Sequence, residues 1–547
     1  MAGRLPAGAA PPRGEWLGVA VAGAGHTLAY EHTAAWPLAL LAIAWLAARV
    51  ARAGPGRAAL LGGVYGTAWL AAGTWWLFIS MHRYGGLPAW MAAAAVLALS
   101  AFLSLYLAAA MAAVARWRRG RPLADALLFA AAWLLAELAR GVVFTGFPWV
   151  AAGYAQVDGP LAALAPWVGV YGLGAVGAAL AAGIGFAWAG PRRAGPAPGE
   201  AAAASAASGA GAGARARRAV RPLLAALAVL GLLALLPVPD FSRPSGPRPL
   251  GVALLQGNVP QDEKFAAGPQ AAAIEWHVRA LLDARGPQTD LVIAPETALV
   301  LLPEQMPEGF WAGLQQAFAQ GPTHALVGVP WGDEASGYTN SALGLAPGRA
   351  AGAPDYRYDK HHLVPFGEFI PAGFRWFTRM MNIPLGDFAR GPLVAPSMPV
   401  NGERIAPNIC YEDLFGEELA ARFRDPAQAP TVLANLSNIG WFGDSPALPQ
   451  HLGISRMRSL ELQRPMLRAT NTGVTAVIDH RGRVTARLAP FTRGVLRARV
   501  EGREGLTPYA AWASRAGLWP LALAALTVIA AAAWRGRRAA AGPGGPR

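Results

Sequence analysis

The chain has 547 residues, 54% of them hydrophobic and only 14% charged, and carries a formal charge of +15 at pH 7. So small a charged fraction excludes an ordinary water-soluble enzyme, for which about 25% is usual, and the apolar content excludes a disordered chain. One cysteine excludes a disulfide framework and any multi-cysteine metal site, which leaves the +15 open between a nucleic-acid partner, an anionic surface and the topology signal of a membrane protein.

Crossing a hydrocarbon core takes about 20 apolar residues. In chain order, suitable runs lie near 15–31, 34–50, 58–80, 88–114, 122–144, 161–189, 219–237 and 516–534, which predicts eight spans. Tyr30-Glu31-His32-Thr33 separates the first two, and they read as two spans in preference to one kinked element. The first reads as a membrane anchor in preference to a cleaved signal peptide, because no charge-dense region follows it. Segment 190–218 is Ala/Gly/Ser/Pro/Arg-rich and reads as a flexible loop. The expected organisation is therefore a seven-span bundle over 1–237, a second domain over 238–510, and an eighth span with a basic tail over 511–547.

From 238 to 510 the apolar runs shorten. Leu291-Val292-Ile293-Ala294, Ala325-Leu326-Val327-Gly328-Val329, Thr431-Val432-Leu433-Ala434 and Thr475-Ala476-Val477-Ile478 predict buried strands, while 268–285 and 450–468 read as helical. Alternating strands and helices predict an α/β domain. Its charges nearly cancel: residues 251–500 hold 22 Lys+Arg against 23 Asp+Glu, leaving 25 basic and 9 acidic residues elsewhere. That surplus falls in alternate loops: Arg4 and Arg13; Arg49, Arg52 and Arg57; Arg116, Arg118, Arg119 and Arg121; Arg192, Arg193, Arg215, Arg217 and Arg218; and Arg535, Arg537 and Arg538. By the positive-inside rule both termini are expected in the cytoplasm and the α/β domain outside it. No nucleic-acid partner is needed to explain the +15.

Cys410 follows Ile405-Ala406-Pro407-Asn408-Ile409, a strand ending in a turn, which places its side chain at the mouth of an α/β core. A lone cysteine is more often inert and buried. Two further residues shift that reading. Glu296 ends the run Leu291-Val292-Ile293-Ala294-Pro295, where a carboxylate can be partly desolvated, and Lys360 is one of only two lysines among 45 arginines, the other being Lys264. A thiol needs a base, a carboxylate of raised pKa can serve as one, and a compact ammonium can stabilise an oxyanion together with a backbone N–H near Cys410. A guanidinium fork is a poorer point charge.

Region 249–500 resembles the carbon–nitrogen hydrolase (nitrilase) superfamily, and the whole chain resembles its apolipoprotein N-acyltransferase branch. The motifs are Gln256-Gly257-Asn258-Val259-Pro260-Gln261, Ala294-Pro295-Glu296-Thr297, Asp359-Lys360-His361-His362-Leu363-Val364-Pro365-Phe366-Gly367-Glu368 and Asn408-Ile409-Cys410-Tyr411-Glu412. A last block runs from Leu436-Ser437-Asn438-Ile439-Gly440-Trp441-Phe442-Gly443-Asp444-Ser445 through Gln450-His451 and Arg464-Pro465 to Arg468-Ala469-Thr470-Asn471. The resemblance implies an αββα sandwich on a helical membrane bundle, with Glu296 as general base, Lys360 as oxyanion stabiliser and Cys410 as nucleophile. It implies Glu368, Glu412 and Tyr411 as supporting residues, and Asn340, Trp441 and Phe265 as substrate contacts. Ile439 stands where the family commonly has Asp, and Phe265 where Trp is familiar.

The activity so implied is acyl transfer from a phospholipid, through a Cys410 thioester, to the α-amine of a diacylglyceryl-cysteine on an apolipoprotein. The partners are then a phospholipid acyl donor, a diacylglyceryl apolipoprotein acceptor and the membrane, the location a bacterial inner membrane with the α/β domain periplasmic, and no cofactor is called for. A membrane-tethered amidase or nitrilase acting on a small C–N substrate is the alternative; a transporter or sensor with an inactive domain fits the complete triad less well. Other residues carry weaker signals. His361, His362 and His451 lack metal-ligand spacing, so no metal is expected. Trp441-Phe442 reads either as core or as an exposed loop, Glu137 either as a functional intramembrane acid or as a partner of Arg140, and the glycines from Gly169 to Gly183 as helix packing. An apolar arm around Phe374-Trp376-Phe377 is expected to dip into the outer leaflet.

Overall fold

The computed structural model describes residues 13–189, 208–235, 238–348, 355–371, 373–378 and 387–540. Among the described residues, five segments are long and apolar enough to cross a membrane: Thr33–Val50, Ala89–Trp117, Pro122–Thr145, Pro160–Ala189 and Trp519–Arg538. The other three expected spans fall short for different reasons. Arg13–His26 has 14 residues, and Val220–Leu235 is apolar but short. Pro55–Thr74 has 20 residues but is diluted by glycine, which serves packing. A Cβ at Gly62 would lie 2.8 Å from the Leu107 carbonyl oxygen, and one at Gly66 2.8 Å from Ser104 Cβ, so these positions let Pro55–Thr74 press against Ala89–Trp117. Residues 190–207 of the expected loop, with Arg192 and Arg193, lie outside the described residues, as does Arg4; from Ser208 the chain is already helical, through to Leu235.

The two ends of the bundle differ. At one, Arg52 Nη2 donates to the Ala189 carbonyl at 3.0 Å and Arg118 Nη2 to that of Ala53 at 3.3 Å, so guanidinium groups cap helix C-termini. At the other, the chain turns back after Val142 through a loop that Glu137 and Arg140 hold. Arg140 Nη2 lies 3.6 Å from Glu137 Oε1; Arg140 Nη1 donates to the Phe147 and Trp149 carbonyls at 2.8 and 2.6 Å, and Glu137 Oε1 accepts from Ala152 N at 2.7 Å. Glu137 thus pairs with Arg140, as one of its two readings expected.

The α/β domain is a sandwich of two six-stranded sheets. One runs Gly494–Val500, Leu250–Gln256, Leu291–Ala294, His324–Asp333, Gly337–Leu345, Tyr356–Asp359; the other runs Val484–Arg487, Ala476–Ile478, Met466–Thr470, Val432–Ser437, Glu403–Ile409, Met398–Val400. Three central strands of each sheet are parallel and the flanks antiparallel. Strand Leu250–Gln256 shows why the layers form: Val252 and Leu254 enter the core between the sheets, whereas Ala253 and Leu255 pack under the helices outside. Ala267–Asp283 and Phe310–Ala319 form one outer layer.

On the other side the fold runs past residue 510, the expected boundary. Helix Pro508–Ala516 buries Tyr509, Ala510 and Ala513 against Leu419, Phe423 and Leu462, and ends at Gly517 with φ +53°. Gly169, at φ +65°, kinks the helix Ala165–Ala189 where a side chain would strike the Tyr509 ring. The outer face of the second sheet is covered by helices, and one apolar core continues from the bundle into that layer through Tyr411, Phe415, Leu448 and Met457.

Candidate active site

The expected triad residues all emerge from strand ends. Glu296 lies two residues beyond Leu291–Ala294, Lys360 follows Tyr356–Asp359, and Cys410 follows Glu403–Ile409. Cys410 has φ +53°, a left-handed conformation for a non-glycine residue, which costs about 1–3 kcal/mol and turns its side chain out of the strand. Its carbonyl oxygen is held by His451 Nε2 at 3.2 Å and Asn435 Nδ2 at 3.4 Å.

The three residues converge. Lys360, fully buried, places Nζ 2.9 Å from Glu368 and 3.4 Å from Glu296 Oε1. Asn340 Nδ2 bridges the same carboxylates, at 2.8 Å from Glu296 and 2.6 Å from Glu368. The other oxygen of Glu296 accepts from the Asn438 backbone N–H at 2.8 Å, and Glu368 Oε2 from that of Val364 at 2.8 Å. Burial opposes the Lys360 charge, but Glu368, Glu296 and Cys410 outweigh it and hold the ammonium protonated. Burial and then Glu296 push the Cys410 thiol well up, with Lys360 pulling it back only in part. The resting sulfur is therefore a thiol beside a carboxylate, an arrangement suited to proton removal during attack.

The supporting residues sort by contact. Glu412 does not join the Lys360 cluster. Its Oε1 accepts from the backbone N–H of His361 at 2.7 Å and His362 at 3.1 Å, its Oε2 from Ile409 N at 2.6 Å, and Tyr358 OH donates to both. One carboxylate thus ties the Lys360 loop to the Cys410 elbow. Tyr411 points to the bundle, donating to the Gly146 carbonyl at 2.9 Å. Asn340, expected at the substrate, is buried with its Nδ2 between the carboxylates. Trp441 and Phe265 sit 6.4 Å apart, and Trp441 meets Tyr84 of the bundle edge on at 5.9 Å. Phe442 packs on Trp76 at 4.2 Å, so the Trp441-Phe442 pair is neither domain core nor free loop but an inter-domain contact. Ile439 is buried against the bundle side. His361 Nδ1 pairs with the Gly391 carbonyl, and His362 with Glu418 and the Thr145 carbonyl.

A model of the apolipoprotein N-acyltransferase N-terminal domain matches residues 22–183, and one of carbon–nitrogen hydrolase matches 251–509. An apolipoprotein N-acyltransferase of Verminephrobacter eiseniae is 56% identical over 84% of this chain and 84% of its own. The chain belongs to the apolipoprotein N-acyltransferase family. A second apolipoprotein N-acyltransferase, from Ralstonia nicotianae, is 48% identical over 95% of this chain and 94% of its own. Among solved structures, a carbon–nitrogen hydrolase from Helicobacter pylori G27 aligns with 50% of this chain and 94% of its own, at TM-score 0.34 and 16% identity.

Asn438, His451 and Lys264 also take part in this acyltransferase-family site, with no role assigned from sequence. Asn438 supplies a backbone N–H, which no side-chain motif reveals. His451 stays neutral, its pKa pushed far down by burial and by Arg468, whose Nη2 donates to His451 Nδ1 at 2.6 Å. Lys264 donates to the Glu296 backbone carbonyl at 3.2 Å; the scarcity of lysine was its signal.

Proposed function

We propose that this chain transfers an acyl group from a membrane phospholipid to the α-amine of a diacylglyceryl-cysteine at the N-terminus of an apolipoprotein, with Glu296, Lys360 and Cys410 as the catalytic residues. The observation that carries the reading is the Lys360 ammonium, fully buried between Glu296 and Glu368 beside the strained Cys410 elbow, in a domain seated on a membrane bundle. As Cys410 Sγ bonds to the ester carbonyl carbon, its proton passes to Glu296, and Lys360 with a nearby backbone N–H receives the oxyanion. Collapse breaks the ester C–O bond; Glu296 returns the proton to the departing oxygen, leaving a thioester and a lysophospholipid. The neutral amine then attacks the thioester, Glu296 takes its proton, and thiolate leaves and is reprotonated. Asn340, Glu368 and Glu412 position these groups, Tyr411 couples them to the bundle, and Trp441 and Phe265 are the proposed substrate contacts.

Eight spans, with both termini cytoplasmic and the catalytic domain periplasmic in a bacterial inner membrane, complete the proposal. It is supported by the arginines gathered at the bundle end remote from the α/β domain. Phospholipid carrying a labelled sn-1 acyl chain tests the donor: one equivalent of unlabelled lysophospholipid per enzyme is expected before any lipopeptide is added. Steady release without acceptor would instead favour a hydrolase.

A further inference from the structure

Two lysines serve this chain against 45 arginines, and both are buried beside Glu296. The mechanism above uses only Lys360. Lys264 is 4% exposed, and its Nζ donates to the Glu296 backbone carbonyl at 3.2 Å. It thereby grips the main chain of the residue whose side chain serves as the base.

Charge gives it a second task. The resting site holds two carboxylates, Glu296 and Glu368, around a neutral thiol, and Lys360 balances only one of them. An unbalanced buried charge is strongly unfavourable. With Lys264 protonated the sum is zero. It stays zero through acylation, because the thiol proton moves to Glu296 as the oxyanion appears. Groups facing Lys264 from the neighbouring elements are Glu296 and Cys410, which favour its charge, and His277 on the helix Ala267–Asp283; Thr297 and Asn471 line the same cavity. His277 Nδ1 donates to the Ala273 carbonyl at 2.7 Å, so its Nε2 is an acceptor, without a partner among the described residues, in that cavity. Burial brings its pKa down to about 4, and so it adds no competing charge.

We infer that Lys264 is a positioning residue of acyl transfer: its ammonium fixes the main chain of Glu296, the base for Cys410, and balances the charge of the second buried carboxylate. The inference rests on the assignment of Glu296 and Cys410 made above. Burial lowers the Lys264 pKa to about 8 although Glu296 and Cys410 raise it, so the charge is lost in mildly alkaline solution.

The test is single-turnover acylation of full-length protein by phospholipid in vesicles, from roughly pH 5.5 to 9.5, normalised to the titratable Cys410 thiol. Lys264→Met should slow acylation about 10–100-fold at neutral pH and lose the alkaline limb that follows loss of the Lys264 charge. Lys264→Arg should restore most of the rate and carry the alkaline limb to higher pH. A wild-type rate and profile in Lys264→Met would overturn the inference, as would Lys264→Arg as slow as Lys264→Met with both profiles unshifted. Cys410→Ala run alongside separates the two levels. An acyl adduct persisting there would overturn the nucleophile assignment and this inference together; loss of the adduct there with a normal Lys264→Met overturns this inference alone.

Discussion

Tyr411, the residue after Cys410, donates its hydroxyl proton to the carbonyl oxygen of Gly146 at 2.9 Å. Gly146 ends a run of three left-handed residues, Phe144, Thr145 and Gly146, at φ +55°, +70° and +82°. His362, two residues past Lys360, bonds the Thr145 carbonyl at 3.0 Å. A strained loop of the bundle is thus bolted to the neighbours of two active-site residues. Tyr411→Phe keeps the ring but leaves a buried carbonyl unpaired, for about 1–3 kcal/mol. Gly146→Ala is expected to be worse, because a Cβ there collides with the Gly141 carbonyl. Thermal unfolding and acylation rate, measured on both, should rank Gly146→Ala below Tyr411→Phe and both below wild type.

Glu412→Gln should damage the site more than its distance from the Lys360 cluster suggests. The carboxylate accepts from three backbone N–H groups and Tyr358 OH. An amide replaces one acceptor oxygen with a donor facing donors, and each charge-assisted bond lost is worth about 1.5–3 kcal/mol. A lowered melting temperature together with at least a roughly 100-fold loss of acylation is expected; an unchanged melting temperature would show that the elbow does not depend on Glu412.

His451 should act as a neutral hydrogen-bonding link. Burial, with Arg468 and Lys360, depresses its folded pKa far below 6.5, so the unfolded state binds more protons as pH falls through 6.5. Stability from this residue is therefore complete above about pH 6.5 and declines below it. His451→Gln should flatten that decline and leave acylation without an inflection traceable to the residue. His451→Ala, which frees the Cys410 carbonyl and Arg468, should be the slower variant.

Phe374 and Trp376 are 44% and 62% exposed, beside a domain seated on the bundle. Replacing both with Ser should raise the apparent KM for phospholipid in vesicles about tenfold or more, given about 1.5–3 kcal/mol for each large apolar side chain inserted. Turnover of a short-chain soluble ester should be unaffected. Equal effects on both substrates would argue against insertion into the leaflet.

Strand and site positions were largely legible, because buried parallel strands are continuous apolar runs and their C-terminal ends place side chains at a site. Leu291–Ala294 was bounded as observed, and Cys410 was read at a strand-to-turn junction. Span lengths were less so: the runs read near 15–31 and 219–237 form apolar helices of only 14 residues, Arg13–His26, and of short extent, Val220–Leu235. The helix from Ser208 was hidden by low complexity, and the packing of helix Pro508–Ala516 by its amphipathic sequence adjoining an apolar helix. Within the site, the pairing of Asn340 with both carboxylates is a product of sheet closure, which no spacing encodes. Arg468 and His451 met for the same reason.

The central claim is that Cys410 carries the acyl group. Intact-mass analysis and peptide mapping after incubation with phospholipid vesicles test it most directly. A hydroxylamine-labile acyl adduct on Cys410 is predicted, absent in Cys410→Ala, and discharged onto a diacylglyceryl-cysteine lipopeptide as an N-acyl product. An adduct on another residue, or none while N-acylation proceeds, would contradict it.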